Sequence, residues 1–230
     1  RIAIEGITLS DVSLVLPKDL SVLRNIAERF KKPDRKSASL PSLLDIERFH
    51  IRQGEIRHGI GGTVWATFDG TAHSLTAETV PLRLTANLPA WGRDAKLLIE
   101  GKLTPHNGLG GQGKISLKGI DLTRLAERPE WTGGQAEATI SINAPNIRRV
   151  SAEIHGAVHN TPLDVLNGTL SALAWWQENA LTINDIEWAS SGTSLAADLT
   201  WEPSAQVACR IVEARADSEG SAGRHTAAGP

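Results

Sequence analysis

Along most of the chain, apolar and polar residues alternate with a period of two, the mark of strands with one dry and one wet face. The pattern runs through Ile2/Ile4, Val12/Leu14/Leu16, Val80/Leu82/Leu84 and Ile115/Leu117. It continues through Ala136/Ala138/Ile140/Ile142, Leu181/Ile183 and Leu195/Ala197/Leu199/Trp201. Turn chemistry separates the runs, at Asp69-Gly70, in the stretch 105–113, at Thr132-Gly133-Gly134 and at Gln177-Glu178-Asn179. Such segments predict a mainly β protein built on an extended, twisted antiparallel sheet. A doubly wound parallel sheet would show continuous apolar runs and regular long helices instead.

Helical spacing is rare, and two or three short helices are expected. The clearest covers residues 19–32, where Leu20, Leu23, Ile26, Ala27 and Phe30 form one apolar stripe. Asp19 suits the N-cap, and Lys31 and Lys32 suit the negative end of the helix dipole. A shorter helix is expected from Asp121, with Leu122, Leu125 and Ala126. A third is expected from Thr161, with Pro162 in the first turn and Asp164 three residues on.

Two internal similarities stand out. Asp19-Leu20 with Ile26-Ala27-Glu28-Arg29 is echoed by Asp121-Leu122 with Leu125-Ala126-Glu127-Arg128. The shape apolar-x-x-apolar-x-apolar occurs at Ile4, at Ile46 and at Ile183. The spacing of these copies is irregular, which argues for a reused strand unit rather than a fixed-period solenoid.

Composition narrows the classes. The 230 residues carry a formal charge of −2 and 22% charged residues, with no clustered basic surface of the kind nucleic acid requires. A single cysteine, Cys209, excludes an intramolecular disulfide and a cysteine-rich zinc site. There is no methionine, and the first residues already read as mid-strand, so the chain is expected to be part of a longer protein. No stretch approaches the roughly 18–20 consecutive apolar residues of a membrane span. Residues 1–213 read as one β-rich domain and 214–230 as a disordered tail. Residues 32–41 read as a polar linker.

Candidate chemistry is thin, and no catalytic residue is expected. Gly108-Leu109-Gly110-Gly111-Gln112-Gly113-Lys114 satisfies both G-x-G-x-x-G and part of a phosphate loop, but such a loop needs a helix to begin there. Ile115-Ser116-Leu117-Lys118 alternates like a strand, and Ile115 stands where a magnesium-holding Ser or Thr belongs, so a hairpin loop is the better reading. His155 and His159 are four apart in a segment that alternates like a strand, which separates them by ~13 Å. His50 and His58 flank an expected turn at Gln53-Gly54. Neither pair argues for a metal, and no cofactor is implied. Glu127 and Glu130 read as a solvated helix end rather than an acid/base pair. The seven tryptophans suit core and edge packing, with sugar stacking or a lipid interface as the alternative.

A resemblance rests on the order of these pieces. Ile4-Glu5-Gly6-Ile7-Thr8-Leu9 runs on to Leu16, a helix and a polar linker follow, and then comes Leu44-Asp45-Ile46-Glu47-Arg48-Phe49-His50-Ile51-Arg52-Gln53-Gly54-Glu55-Ile56. This order resembles the AsmA-like superfamily of bacterial envelope proteins. Gly113-Lys114-Ile115-Ser116-Leu117-Lys118-Gly119-Ile120-Asp121-Leu122 is similar to the superfamily's strand-then-short-helix units. The resemblance implies a periplasmic β structure anchored in the inner membrane by a segment outside this chain. It also implies an open, apolar-lined groove, phospholipid transport between membranes or outer-membrane homeostasis, and no catalytic residues.

A sheet with one apolar face must cover it with another sheet or with ligand. Leu82, Leu84, Leu97, Ile99, Ile115, Leu117, Ile140 and Ile142 are the residues expected to line a groove for phospholipid or another lipid. The competing readings are a closed β-sandwich that binds carbohydrate or protein, and a nucleotide enzyme built on the loop 108–114.

Overall fold

The computed structural model describes residues 2–16, 44–58, 62–75, 78–104, 110–126, 129–146, 148–177, 180–191, 193–201 and 208–216. The first strands are β1 (Ile2–Ser10), β2 (Ser13–Leu16), β3 (Leu44–His58), β4 (Val64–His73) and β5 (Val80–Asn87). β6 (Lys96–Thr104), β7 (Gly110–Asp121), β8 (Gln135–Asn146) and β9 (Arg149–His159) follow. The chain closes with β10 (Gly168–Gln177), β11 (Ala180–Ser190), β12 (Thr193–Trp201) and β13 (Ala208–Ala216). All belong to one open sheet, in which β3 to β13 lie in chain order and both β1 and β2 pair with β3. At about 4.8 Å between neighbouring strands, the twelve-strand path is roughly 50 Å long.

Every ladder from β3 onward is antiparallel, whereas β1 and β2 run parallel to β3. The expected all-antiparallel sheet is therefore corrected at its first ladder. That ladder pairs similar sequences residue for residue: Ile4 with Ile46, Ile7 with Phe49 and Leu9 with Ile51.

Bulges explain one of the three copies of the repeated sequence shape, that at Ile183. In β3, Arg52 and Gln53 stand opposite the single residue Asp69. In β7, Lys118 and Gly119 stand opposite Glu137, and in β11, Asn184 and Asp185 stand opposite Asp198. The second bulge residue is left-handed each time, with φ of 54° at Gln53, 67° at Gly119 and 51° at Asp185. The three follow one another at the same interval of 66 residues. Asp11, at φ 56°, is the matching kink between β1 and β2. Where a two-residue bulge falls on its x-x pair, apolar-x-x-apolar-x-apolar returns the following apolar residue to the original face. It does so after Leu9, Leu117 and Ile183, whereas the copies at Ile4 and Ile46 lie in unbulged strand and begin seven residues ahead of the left-handed residues Asp11 and Gln53. Two bulges share a stabilising bond, since the Gln53 N–H donates to Asp69 Oδ1 (3.1 Å) and the Asp185 N–H to Asp198 Oδ1 (3.2 Å).

These bulges overturn two expected turns. Gln53-Gly54 and Asp69-Gly70 both lie inside paired strands, because the left-handed residue and the Asp that receives its N–H build a bulge rather than a hairpin. Thr132 and Gly133 do form a turn. Of the expected loop 105–113, residues 105–109 lie outside the described residues and Gly110–Gly113 belong to β7.

Of the helices, that expected from Asp121 is present as α1 (Leu122–Ala126), capped by Asp121 Oδ1, which accepts from the Thr123 N–H at 2.9 Å. The helix expected from Thr161 is only a 3-10 turn, Asp164–Leu166. Val158 pairs with Gly168, so the connector is too short for more. Buried Thr161 serves that connector, donating its N–H to Asn167 Oδ1 (2.9 Å) and its hydroxyl to the Leu163 carbonyl (2.7 Å). The helix expected at 19–32, the linker 32–41 and Glu127 lie outside the described residues. So do residues 217–230 of the expected tail, while Ala214 and Ala216 pair with Leu195 and Thr193 of β12.

Candidate functional site: the apolar face of the sheet

Register places all eight expected groove residues on one face. Leu84, Ile99, Ile115 and Ile140 are successive partners across β5, β6, β7 and β8, and the row continues to Ile154 on β9. Leu97 and Leu117 are direct partners beside it. Leu82 and Ile142 lie on the other side of the row, separated by the partners Gly101 and Gly113. All eight are half-buried.

The face extends further than those eight residues. It takes in Phe49 and Ile51 on β3, Phe68 on β4, Leu170 on β10, Ile183 and Trp188 on β11, and Leu199 on β12. Alternation was the signal for these too, but which edge each strand pairs with is decided at a distance. From β4 to β10 the face holds no charged, hydroxyl or amide side chain. Charges occupy the opposite face, where Arg83 meets Glu100 at 3.4 Å, an exposed pair worth little to stability.

Among the described residues no second sheet and no long helix covers the apolar face. Local cover comes from the connector between β5 and β6. It turns inward so that Leu88 and Ala95 are buried with Ala66 and Ala86, and Trp91 packs against them. The Asp121 N–H donates to the Trp91 carbonyl at 2.8 Å, tying this connector to the start of α1.

The glycines that imitate a phosphate loop have a structural task here. A Cβ on Gly101 would come within 2.6 Å of the Gln112 carbonyl, and one on Gly113 within 2.7 Å of the Glu100 carbonyl. Their missing side chains belong to the apolar face, where β6 and β7 approach too closely to admit a Cβ. Gly110 to Lys114 continue as strand into Ile115, and no helix starts there to hold a phosphate.

The other candidates disperse. His155 contacts Glu153 at 2.9 Å on an exposed strand face, and His50 and His73 meet edge-on with ring centres 6.4 Å apart. Among the described residues no three His, Cys, Asp or Glu side chains gather as a metal site, and no helix is long and apolar enough to cross a membrane. Trp65 and Trp175 are exposed, on β4 and β10, six ladders and roughly 29 Å apart, too far to clasp one sugar. An open polar depression of about 670 Å³ lies on the opposite face, lined in part by Ser10, Arg52, Asp69, Thr71 and Arg83.

The described residues therefore form a long, single-layer, open β-sheet with one continuous apolar face. No protein-family model, no curated protein and no solved structure matches the chain.

Proposed function

We propose that the chain is a non-enzymatic scaffold of the bacterial cell envelope whose apolar face contacts the acyl chains of phospholipids. The observation that carries this reading is the apolar face itself, which no second sheet or long helix covers among the described residues and which holds no charged, hydroxyl or amide side chain from β4 to β10. Water contact along such a face is costly, and each methylene removed from water by an acyl chain contributes roughly 0.8 kcal/mol. The contact is non-directional, so it suits a ligand that slides along the row from Leu84 to Ile154 rather than one held at a point. The resemblance to AsmA-like proteins supports phospholipid transport between membranes or outer-membrane homeostasis as the setting. In that setting the chain is periplasmic, with its inner-membrane anchor elsewhere in the full protein. A closed β-sandwich is the weaker reading, since the described residues form one layer.

Native mass spectrometry of protein expressed in a bacterial envelope tests the proposal. Co-purified phospholipid is expected, and it should be lost from a folded Leu82→Asp/Leu84→Asp/Ile140→Asp variant. Thr85→Asp/Ser116→Asp/Thr139→Asp, on the opposite face of the same strands, should retain it. Folded wild-type protein that carries no lipid and takes none from phospholipid vesicles would sink the reading.

A further inference from the structure

The polar face has its own concave site where β1, β3, β4 and β5 lie side by side. Register sets Ser10 against Arg52, His50 against Thr71, Thr71 against Arg83, and Asp69 against Thr85. All of them line the open depression of about 670 Å³. That volume lies within the ~300–1,000 Å³ of small-molecule sites. Arg52 is a bulge residue of β3, and a bulge re-aims the side chains it carries. Arg83 stands on β5, two ladders and about 10 Å away, with Thr71 on the strand between.

The charges and donors of this depression suit an anion. Asp69 is the one carboxylate in its lining, and Asp69 Oδ1 already accepts the Gln53 N–H at 3.1 Å. Glu100 meets Arg83 at Nε, at 3.4 Å and exposed on both sides, so the terminal nitrogens of Arg83 lie outside that contact. Among the described residues, none gives the Arg52 side chain a hydrogen bond or an ion pair. A guanidinium is a planar fork of donors matched to phosphate oxygens, and the Ser10, Thr71 and Thr85 hydroxyls add further donors.

We propose that this depression binds a phosphate group, held by the guanidiniums of Arg52 and Arg83 with the Thr71 hydroxyl between them. The depression is larger than one phosphate, so the phosphate is the anchoring end of a larger molecule, either a soluble phosphorylated compound or a lipid headgroup. The site lies across the sheet from the apolar face, and it stands whether or not that face carries lipid.

Amide NMR shifts of the whole chain, titrated with inorganic phosphate at constant ionic strength, test this. Amides of residues 51–53 and 70–71 should move saturably at millimolar phosphate. Arg52→Gln/Arg83→Gln should weaken binding at least about tenfold while the amides of β7 to β9 keep their positions. Lys114→Gln/Arg149→Gln removes the same charge from the same face outside the depression, and should leave binding unchanged. Asp69→Asn keeps an acceptor for the Gln53 N–H but removes a negative charge, and should tighten binding about two- to fivefold. Phosphatidylcholine vesicles with and without phosphatidic acid then separate the two sources. Vesicle binding that needs both phosphatidic acid and the two arginines identifies a headgroup, and phosphate binding without it identifies a soluble compound. Amides of the depression that do not move with phosphate, or an equal loss in the Lys114/Arg149 variant, would overturn the proposal.

Discussion

The two halves of the sheet manage the same apolar face differently. Over β4 to β7 a connector folds inward, and Leu88 and Ala95 join Ala66 and Ala86 in a buried cluster. Over β8 to β12 no connector residue among those described joins such a cluster. Ala172, Ala174 and Ala197 are buried there because small side chains sit low among larger neighbours such as Ile154 and Ile183. Tight and roomy glycines occur in both halves, since a Cβ on Gly168 of β10 would strike the Ala189 carbonyl while one on Gly70 of β4 would meet nothing nearer than 3.8 Å. A Cβ on Gly113 would strike backbone, whereas one on Gly156 would meet nothing nearer than 3.4 Å. The first half is locally covered by a connector, and in the second the buried residues are small side chains set among larger neighbours.

The sharpest contrast between single positions comes from exchanging Gly113 and Gly156 for alanine. Gly113→Ala should cost on the order of 3–4 kcal/mol, because backbone must move, whereas Gly156→Ala should stay within about 1 kcal/mol of wild type. Urea unfolding measures both, and equal losses would mean that the close backbone approach at Gly113 does not set these two positions apart. Truncating an apolar side chain in each half comes next. Leu88→Ala should lose about 2–4 kcal/mol, and half-buried Leu170→Ala about half of that. Asn167→Ala leaves the buried Thr161 N–H without its acceptor and should cost about 1–3 kcal/mol, read from the thermal midpoint. The smallest effect tests what the halves share. Asp69→Ala and Asp198→Ala each remove the acceptor for a bulge N–H and should cost about 0.5–1.5 kcal/mol apiece. A clear loss from only one of them would mean that the two bulges are not equivalent devices.

The strands were legible because their alternation has almost no exceptions, and the same regularity put the eight groove candidates on a common face. What misled was local chemistry with two uses. Asp69-Gly70 and Gln53-Gly54 have turn composition, yet a left-handed residue and a side-chain acceptor serve a bulge equally well. Gly110, Gly111 and Gly113 resemble a loop because close strand approach and phosphate binding both require a missing Cβ. The parallel pairing of β1 with β3 could not be read at all, since strand partnership is settled between segments distant in the chain. The inward fold of residues 88–95 was hidden for the same reason, with Ala95, at 1% exposure, being an unremarkable residue in sequence.

The constant interval between the bulges bears on how such a sheet changes size. Gln53, Gly119 and Asp185 lie four strands apart each time, so one interval adds roughly 19 Å of sheet. Duplicating or deleting one interval would lengthen or shorten the molecule by that step and leave the bend of each strand as it was. The kinks act as gradations on a ruler, and the length of the sheet can be reset in whole steps without redesigning its cross-section.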